Sequence, residues 1–164
     1  MEETRKRKMI SEDAERCLPL TLSVLKNRPD AIAPVRATVG AAGYDLAVPE
    51  PTVLPPRTED GPSITKVDLG FSLGIPEGAF GKIESRSSLA YGRGITVEAG
   101  VIDSDYTGPV AVVVYNHTAS SVVFAAGQRV AQLIVHPVLY PEVATVDALP
   151  SQVRGSGGFG STGL

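Results

Sequence analysis

The chain has 164 residues and a formal net charge of −3. That length suits one domain with a sizeable core, and the acidic balance argues against a generic binder of nucleic acid or anionic membranes, which needs a basic surface. Gly 17 and Pro 13 are plentiful, aromatics make up 5% and tryptophan is absent, so many turns and short strands are expected rather than long helices.

Residues 1–17 are polar and charged and read as a tail. Cys17, the one cysteine, has no intrachain disulfide partner and fits a reducing compartment. The cluster Arg5-Lys6-Arg7-Lys8 reads as a nuclear-import address or as a solvated tail. The N-terminus is charged and no apolar run approaches the ~18 residues of a membrane span, so neither a secretory signal nor a span is expected. The expected location is intracellular, cytoplasmic or nuclear.

Apolar and polar residues alternate over 20–25, as in a half-buried strand. Pro29, Pro34 and Gly40 then break the chain. Strands are expected over 44–53 and 64–71 around a Pro-rich loop, then over 79–84 after the turn Pro76-Glu77-Gly78. Residues 86–91 hint at one helical turn. Further strands are expected over 96–102, 110–115, 121–125 and 130–135. Val112-Val113-Val114 and residues 131–135 look buried on both faces. The pattern predicts an all-β, jelly-roll-like sandwich or barrel. The expected organisation is a tail over 1–17, a β domain over 18–149 and a mobile arm over 150–164.

Five segments carry chemistry. The last, Arg154 to Gly163, holds five glycines in ten residues, together with Ser161, Thr162 and the aromatic Phe159. Glycines allow close backbone approach. Hydroxyls, bare N–H groups and a guanidinium suit phosphate oxygens. A ring with nothing apolar beside it can cap a base. The bland reading is a flexible linker. Gly100 to Gly108 sets Asp103, Asp105 and Tyr106 on one turn, where a carboxylate can accept a proton from water. It can equally bond its own backbone in an Asx-turn. At a strand exit, Arg86, Ser87 and Ser88 offer an anion site, or a serine there caps a helix. Gln132 lies in an apolar run and needs a partner, structural or ligand. Asp45 follows the flexible Gly43 and reads as structural, through turn or interchain hydrogen bonds.

In order and spacing, residues 42–46, 81–90, 100–110, 127–134 and 154–163 resemble the five motifs of the trimeric dUTP diphosphatase (dUTPase) family. The resemblance covers residues 20–164. It implies a homotrimer that hydrolyses dUTP to dUMP and diphosphate with Mg²⁺, limiting uracil in DNA and supplying dUMP. It implies sites built from three chains, with the arm of one closing over the site of another. Asp103 then matches the carboxylate that deprotonates the water attacking the α-phosphorus, and Tyr106 the ring beneath the deoxyribose. Backbone groups around Ala99, Gly100 and Val101 match those that read uracil. Arg86, Ser87, Ser88 and Gln132 match phosphate contacts. Phe159 matches the uracil-stacking aromatic, and Arg154, Gly160, Ser161 and Thr162 belong to the arm contacts. Mg²⁺ is implied to be held by phosphates and water, with no direct protein ligand.

Four positions depart from the family pattern: Ser85 where Pro is common, Ser88 where Gly is common, Glu98 in the hairpin approach, and Pro109 after Gly108. Two other functions are weighed. A dCTP deaminase shares the fold but carries a catalytic glutamate where this chain has Val113. A non-catalytic interaction protein could retain the fold without activity.

Overall fold

The computed structural model describes residues 21–153 and 155–157. Its strands are β1 (Ser23–Lys26), β2 (Tyr44–Ala47), β3 (Thr52–Leu54), β4 (Ser63–Gly74), β5 (Ala79–Glu84), β6 (Ile95–Glu98), β7 (Val101–Ile102), β8 (Pro109–Asn116), β9 (Val122–Phe124) and β10 (Arg129–Pro137). Among the described residues one helix, α1 (Ser87–Arg93), interrupts them. Two four-stranded antiparallel sheets form, in the orders β1-β4-β8-β6 and β2-β10-β5-β7, and β3 pairs with β9. The sheets are open rather than closed into a barrel. The expected all-β, jelly-roll-like fold is therefore present.

Alternation along the strands builds the core. Along β8 every even residue from Val110 to Asn116 is buried and every odd one is not. Val67, Leu69, Val112 and Val114 from one sheet join Leu46, Ile83 and Leu133 from the other in a single cluster. Each such side chain, fully buried, stabilises the fold by about 1.5–3 kcal/mol. The expectation that Val112-Val113-Val114 is buried on both faces is corrected. Val112 and Val114 are buried, but Val113 is half-buried, because successive side chains of a strand point to opposite faces of the sheet. In 131–135, Ala131 and Leu133 are buried while Gln132, Ile134 and Val135 are half-buried.

Two expected strands divide. The run 44–53 splits into β2 and β3 because Pro49 and Pro51 lack the N–H that a ladder needs. The run 96–102 splits at Ala99-Gly100, and its halves join different sheets, β6 pairing with β8 and β7 with β5. That crossing sets up a cavity between the sheets.

Candidate functional site

The first cavity, of about 240 Å³, lies where the chain passes between the sheets. Ala99 adopts a left-handed φ of 52°. The Gly100 carbonyl accepts a hydrogen bond from Ile83 N at 2.8 Å. A Cβ on Gly100 would collide with the Ile83 carbonyl, so only glycine lets the hairpin lie this close to β5. Ile102 is buried and anchors β7 against β5, while the neighbouring Val101 is exposed.

Past Ile102 the chain turns, and Tyr106 N donates to the Asp103 carbonyl at 3.1 Å. Tyr106 Oη donates to the Pro109 carbonyl at 2.9 Å. Its ring lies against Gly108, where a Cβ would stand 2.7 Å from Cζ. The phenol is thus fixed by its hydroxyl and by contact with Gly108, and it lines the cavity. The backbone of Asp103 closes the turn. Its carboxylate is exposed and has no hydrogen-bond or ion-pair partner among the described residues. The Asx-turn reading is therefore not the one adopted. Ala99, Val101, Asp103 and Tyr106 line this cavity together with Lys66, Ile83, Ala111 and Val113.

A second cavity, of about 350 Å³, collects Arg86, Ser87, Ser88 and Gln132. Arg86 ends the loop after β5 and is the N-cap residue of α1, yet no side-chain hydrogen bond caps that helix. Ser87 and Ser88 are exposed within the lining rather than spent on capping. Gln132 sits mid-β10, opposite Asp45 on one side and Glu84 on the other. Its Nε2 donates to the Ser85 carbonyl at 3.0 Å, the partner its apolar setting demands. A Cβ on Gly43 would stand 2.6 Å from Gln132 Oε1, so Gly43 makes room for the amide.

The Asp45 carboxylate is held by two arginines of its own chain rather than by its turn, and Asp45 thereby ties three segments together. Oδ1 lies 3.1 Å from Arg86 Nε and Oδ2 lies 3.0 Å from Arg129 Nη1. Arg129 and Lys66 are the cationic lining residues that sequence reasoning missed. Arg129 stands within the quoted segment 127–134, but nothing local in the sequence distinguishes it from a solvated surface arginine.

The expected residues thus converge as two groups. The two cavities share no lining residue. Arg154, Phe159, Gly160, Ser161 and Thr162 lie outside the described residues, as does the basic cluster 5–8. His117 and His136, read as surface or packing residues, stack on Tyr115 and Phe80 respectively.

Residues 30–163 match the profile of the dUTPase family. The deoxyuridine 5′-triphosphate nucleotidohydrolase of Solanum lycopersicum is 48% identical over 141 residues, covering 86% of this chain and 80% of that protein. Among solved structures, the Staphylococcus bacteriophage 80alpha dUTPase with dUpNHpp superposes with a TM-score of 0.79 at 27% identity, covering 88% of this chain and 99% of that one. A mutant dUTPase from phage phi11 of S. aureus, in which a structural Mg(II) ion is coordinated, superposes with a TM-score of 0.71 at 24% identity. It covers 78% of this chain and 97% of that one.

Proposed function

This chain belongs to the dUTPase family and is an enzyme that hydrolyses dUTP; we propose that the hairpin cavity takes the nucleoside, the Arg86 cavity takes the phosphates, and Asp103 is the base. One observation carries the reading: a carboxylate without a partner among the described residues lines a cavity together with Ala99, Val101 and a hydrogen-bonded tyrosine. Water, held by Asp103, gives up a proton to its carboxylate. The water oxygen bonds to the α-phosphorus, the bond to the bridging oxygen breaks, and dUMP and diphosphate separate. Backbone groups of Ala99, Gly100 and Val101 read the uracil edge. The Tyr106 ring packs beneath the deoxyribose and leaves no room for a 2′-hydroxyl.

Arg86, Ser87, Ser88 and Gln132 receive the phosphates, and positioning with charge neutralisation supplies the catalysis. No group of three or more His, Cys, Asp or Glu side chains converges among the described residues. Asp45 is the one carboxylate of the phosphate cavity, and it is committed to two arginines. These residues fit a Mg²⁺ ion that is carried by the phosphates and water and that offsets triphosphate charge when bound.

We assign the assembly as a homotrimer whose cavities from different subunits face one another. The arm over 150–164, with Arg154, Phe159, Gly160, Ser161 and Thr162, closes in trans. Two observations support this. The cavities share no residue within one chain, and Leu139, Tyr140, Val143 and Leu149 are exposed on an irregular segment with little to pack on. The tail over 1–17 and the β domain over 18–149 complete the organisation. No helix among the described residues is long and apolar enough to cross a membrane.

The position where a dCTP deaminase carries glutamate is Val113, an apolar lining residue, so deamination has no acid or base there. The test is diphosphate release with Mg²⁺ from dUTP, dCTP, dTTP and UTP. Release from dUTP alone is expected. Equal release from dCTP or UTP would overturn the base and sugar assignments, and release from none would favour an interaction protein.

A further inference from the structure

Three polar side chains, those of Lys66, Asp103 and Tyr106, stand among the apolar residues that line the hairpin cavity. Tyr106 Oη is committed to the Pro109 carbonyl, and an ionised Asp103 only accepts. Lys66 makes no hydrogen bond or ion pair with any described residue. Its ammonium is therefore the uncommitted side-chain donor of this lining.

The sheet sets where that donor enters. Lys66 on β4 stands opposite Val113 on β8, and Lys66, Ala111 and Val113 all line the cavity. Tyr106 is tied instead to Pro109, where β8 begins. From Pro109 to Val113 a strand advances about 13 Å, at ~3.3 Å per residue. The cavity thus has a tyrosine end and a lysine end.

We propose that Lys66 is a specificity-determining residue whose ammonium donates to the 4-oxo group of the pyrimidine. This rests on the assignment of that cavity to the nucleoside. With the deoxyribose on Tyr106, the sugar-bearing N1 points to the tyrosine end. The C4 substituent lies across the ring from N1, so it points to the lysine end. In uracil that substituent is a carbonyl oxygen, an acceptor. In cytosine it is an amino group, a donor. An ammonium has three donors and no acceptor, so it pairs with the first and is left facing N–H bonds in the second. The flexible four-carbon stem lets the ammonium reach the base from β4. Because Lys66 is exposed, water competes for it and the effect is moderate.

Two other roles would use the same charge. An ammonium acting on Asp103 would change the turnover of every substrate alike. One acting on the phosphates would change their affinity without changing the preference between bases.

The experiment titrates full-length protein with deoxyuridine, with deoxycytidine and with inorganic diphosphate in Mg²⁺, and measures dUTP turnover alongside. Lys66→Met keeps the stem and removes the charge. Deoxyuridine affinity is expected to fall about tenfold, as for loss of a charged hydrogen bond, while deoxycytidine affinity does not fall. Diphosphate affinity should stay within about twofold, and the loss for dUTP should appear in KM rather than kcat. Lys66→Gln offers an amide carbonyl that accepts from an amino group, so it should bind deoxycytidine better than Lys66→Met does. Lys66→Arg, still a donor-only cation, should keep the preference for deoxyuridine. Equal loss of both nucleosides in Lys66→Met overturns the proposal, as does an unchanged preference. A fall in kcat at constant KM, or a fall in diphosphate affinity alone, overturns it in favour of Asp103 or the phosphates. Ala111→Leu is the control, adding bulk to the same lining. If it leaves deoxyuridine binding unchanged, the nucleoside assignment itself fails, whatever Lys66 does.

Discussion

Asp103 owes its place to backbone bonding on both sides. Ile102 is buried before it, and the turn to Tyr106 is closed through its own carbonyl. Removing the carboxylate's charge should therefore leave the turn intact. Asp103→Asn is expected to lower kcat by about 10²–10⁴-fold, the usual range for a general base, with dUMP affinity nearly unchanged. Steady-state kinetics and a dUMP titration check both halves, and near-normal turnover would remove Asp103 from its role. Gly100 carries a different burden. Its Cβ would strike the Ile83 carbonyl, so Gly100→Ala must push the hairpin from β5, at about 1–3 kcal/mol for overpacking. Discrimination between dUTP and dCTP should narrow in that variant. Asp103, Tyr106, Arg86 and Gln132 were legible in the sequence because motif order and spacing marked them. The role of Arg129 was not, since its partner Asp45 lies on another strand and only the fold brings them together.

At the level of elements, periodicity revealed the strands but not where they change sheets. The run 96–102 reads as one strand with no proline to break it, and the switch at Ala99-Gly100 depends on β5 lying behind it, a nonlocal fact. Asn116 shows the same limit. It ends β8 fully buried, with Nδ2 donating to the carbonyls of Pro55 and Ser120 while Oδ1 accepts from Thr118 N and Oγ1. Asn116→Ala would strand those groups and should cost about 2–4 kcal/mol, read as a lower urea midpoint at unchanged m value. A second device is the pairing of Arg28 with Asp30 and Glu50, at 2.7 Å in each case. The hydrogen bond from Arg28 holds the Asp30 carboxyl below its usual range. A depressed carboxylate stabilises the fold above its unfolded pKa of ~3.9 and loses that contribution as pH falls through the folded value. The Tm difference between wild type and Asp30→Asn should thus be largest near neutrality and shrink as the solution is acidified below about pH 4. A constant difference would mean that the pairing contributes nothing through ionisation.

Across the whole molecule, one chain holds the parts of a site without assembling them. The cavity proposed for the base lies at Ala99 and Val101 and the one proposed for the phosphates lies between β2, β10 and α1, with no lining residue in common. A single triphosphate must touch both kinds of surface, so the simplest completion brings the two cavities from different subunits together. Beyond β10 the chain carries exposed apolar residues, then the Gly-rich run, and neither can build a core alone. If the arm works in trans, a chain ending at Val153 should still form trimers, because the β domain is intact, yet be nearly inactive. Asp103→Asn subunits are inactive for another reason but keep their arms. Mixing the two under conditions of subunit exchange should restore part of the activity, since some sites would combine an intact Asp103 with an intact arm from a neighbour. Size-exclusion chromatography with mass detection verifies that hybrids form, and diphosphate release measures the recovery. Hybrids that form yet stay silent would mean that each arm serves its own chain. The pairing of exposed apolar segment and divided site would then need a different assembly to explain it.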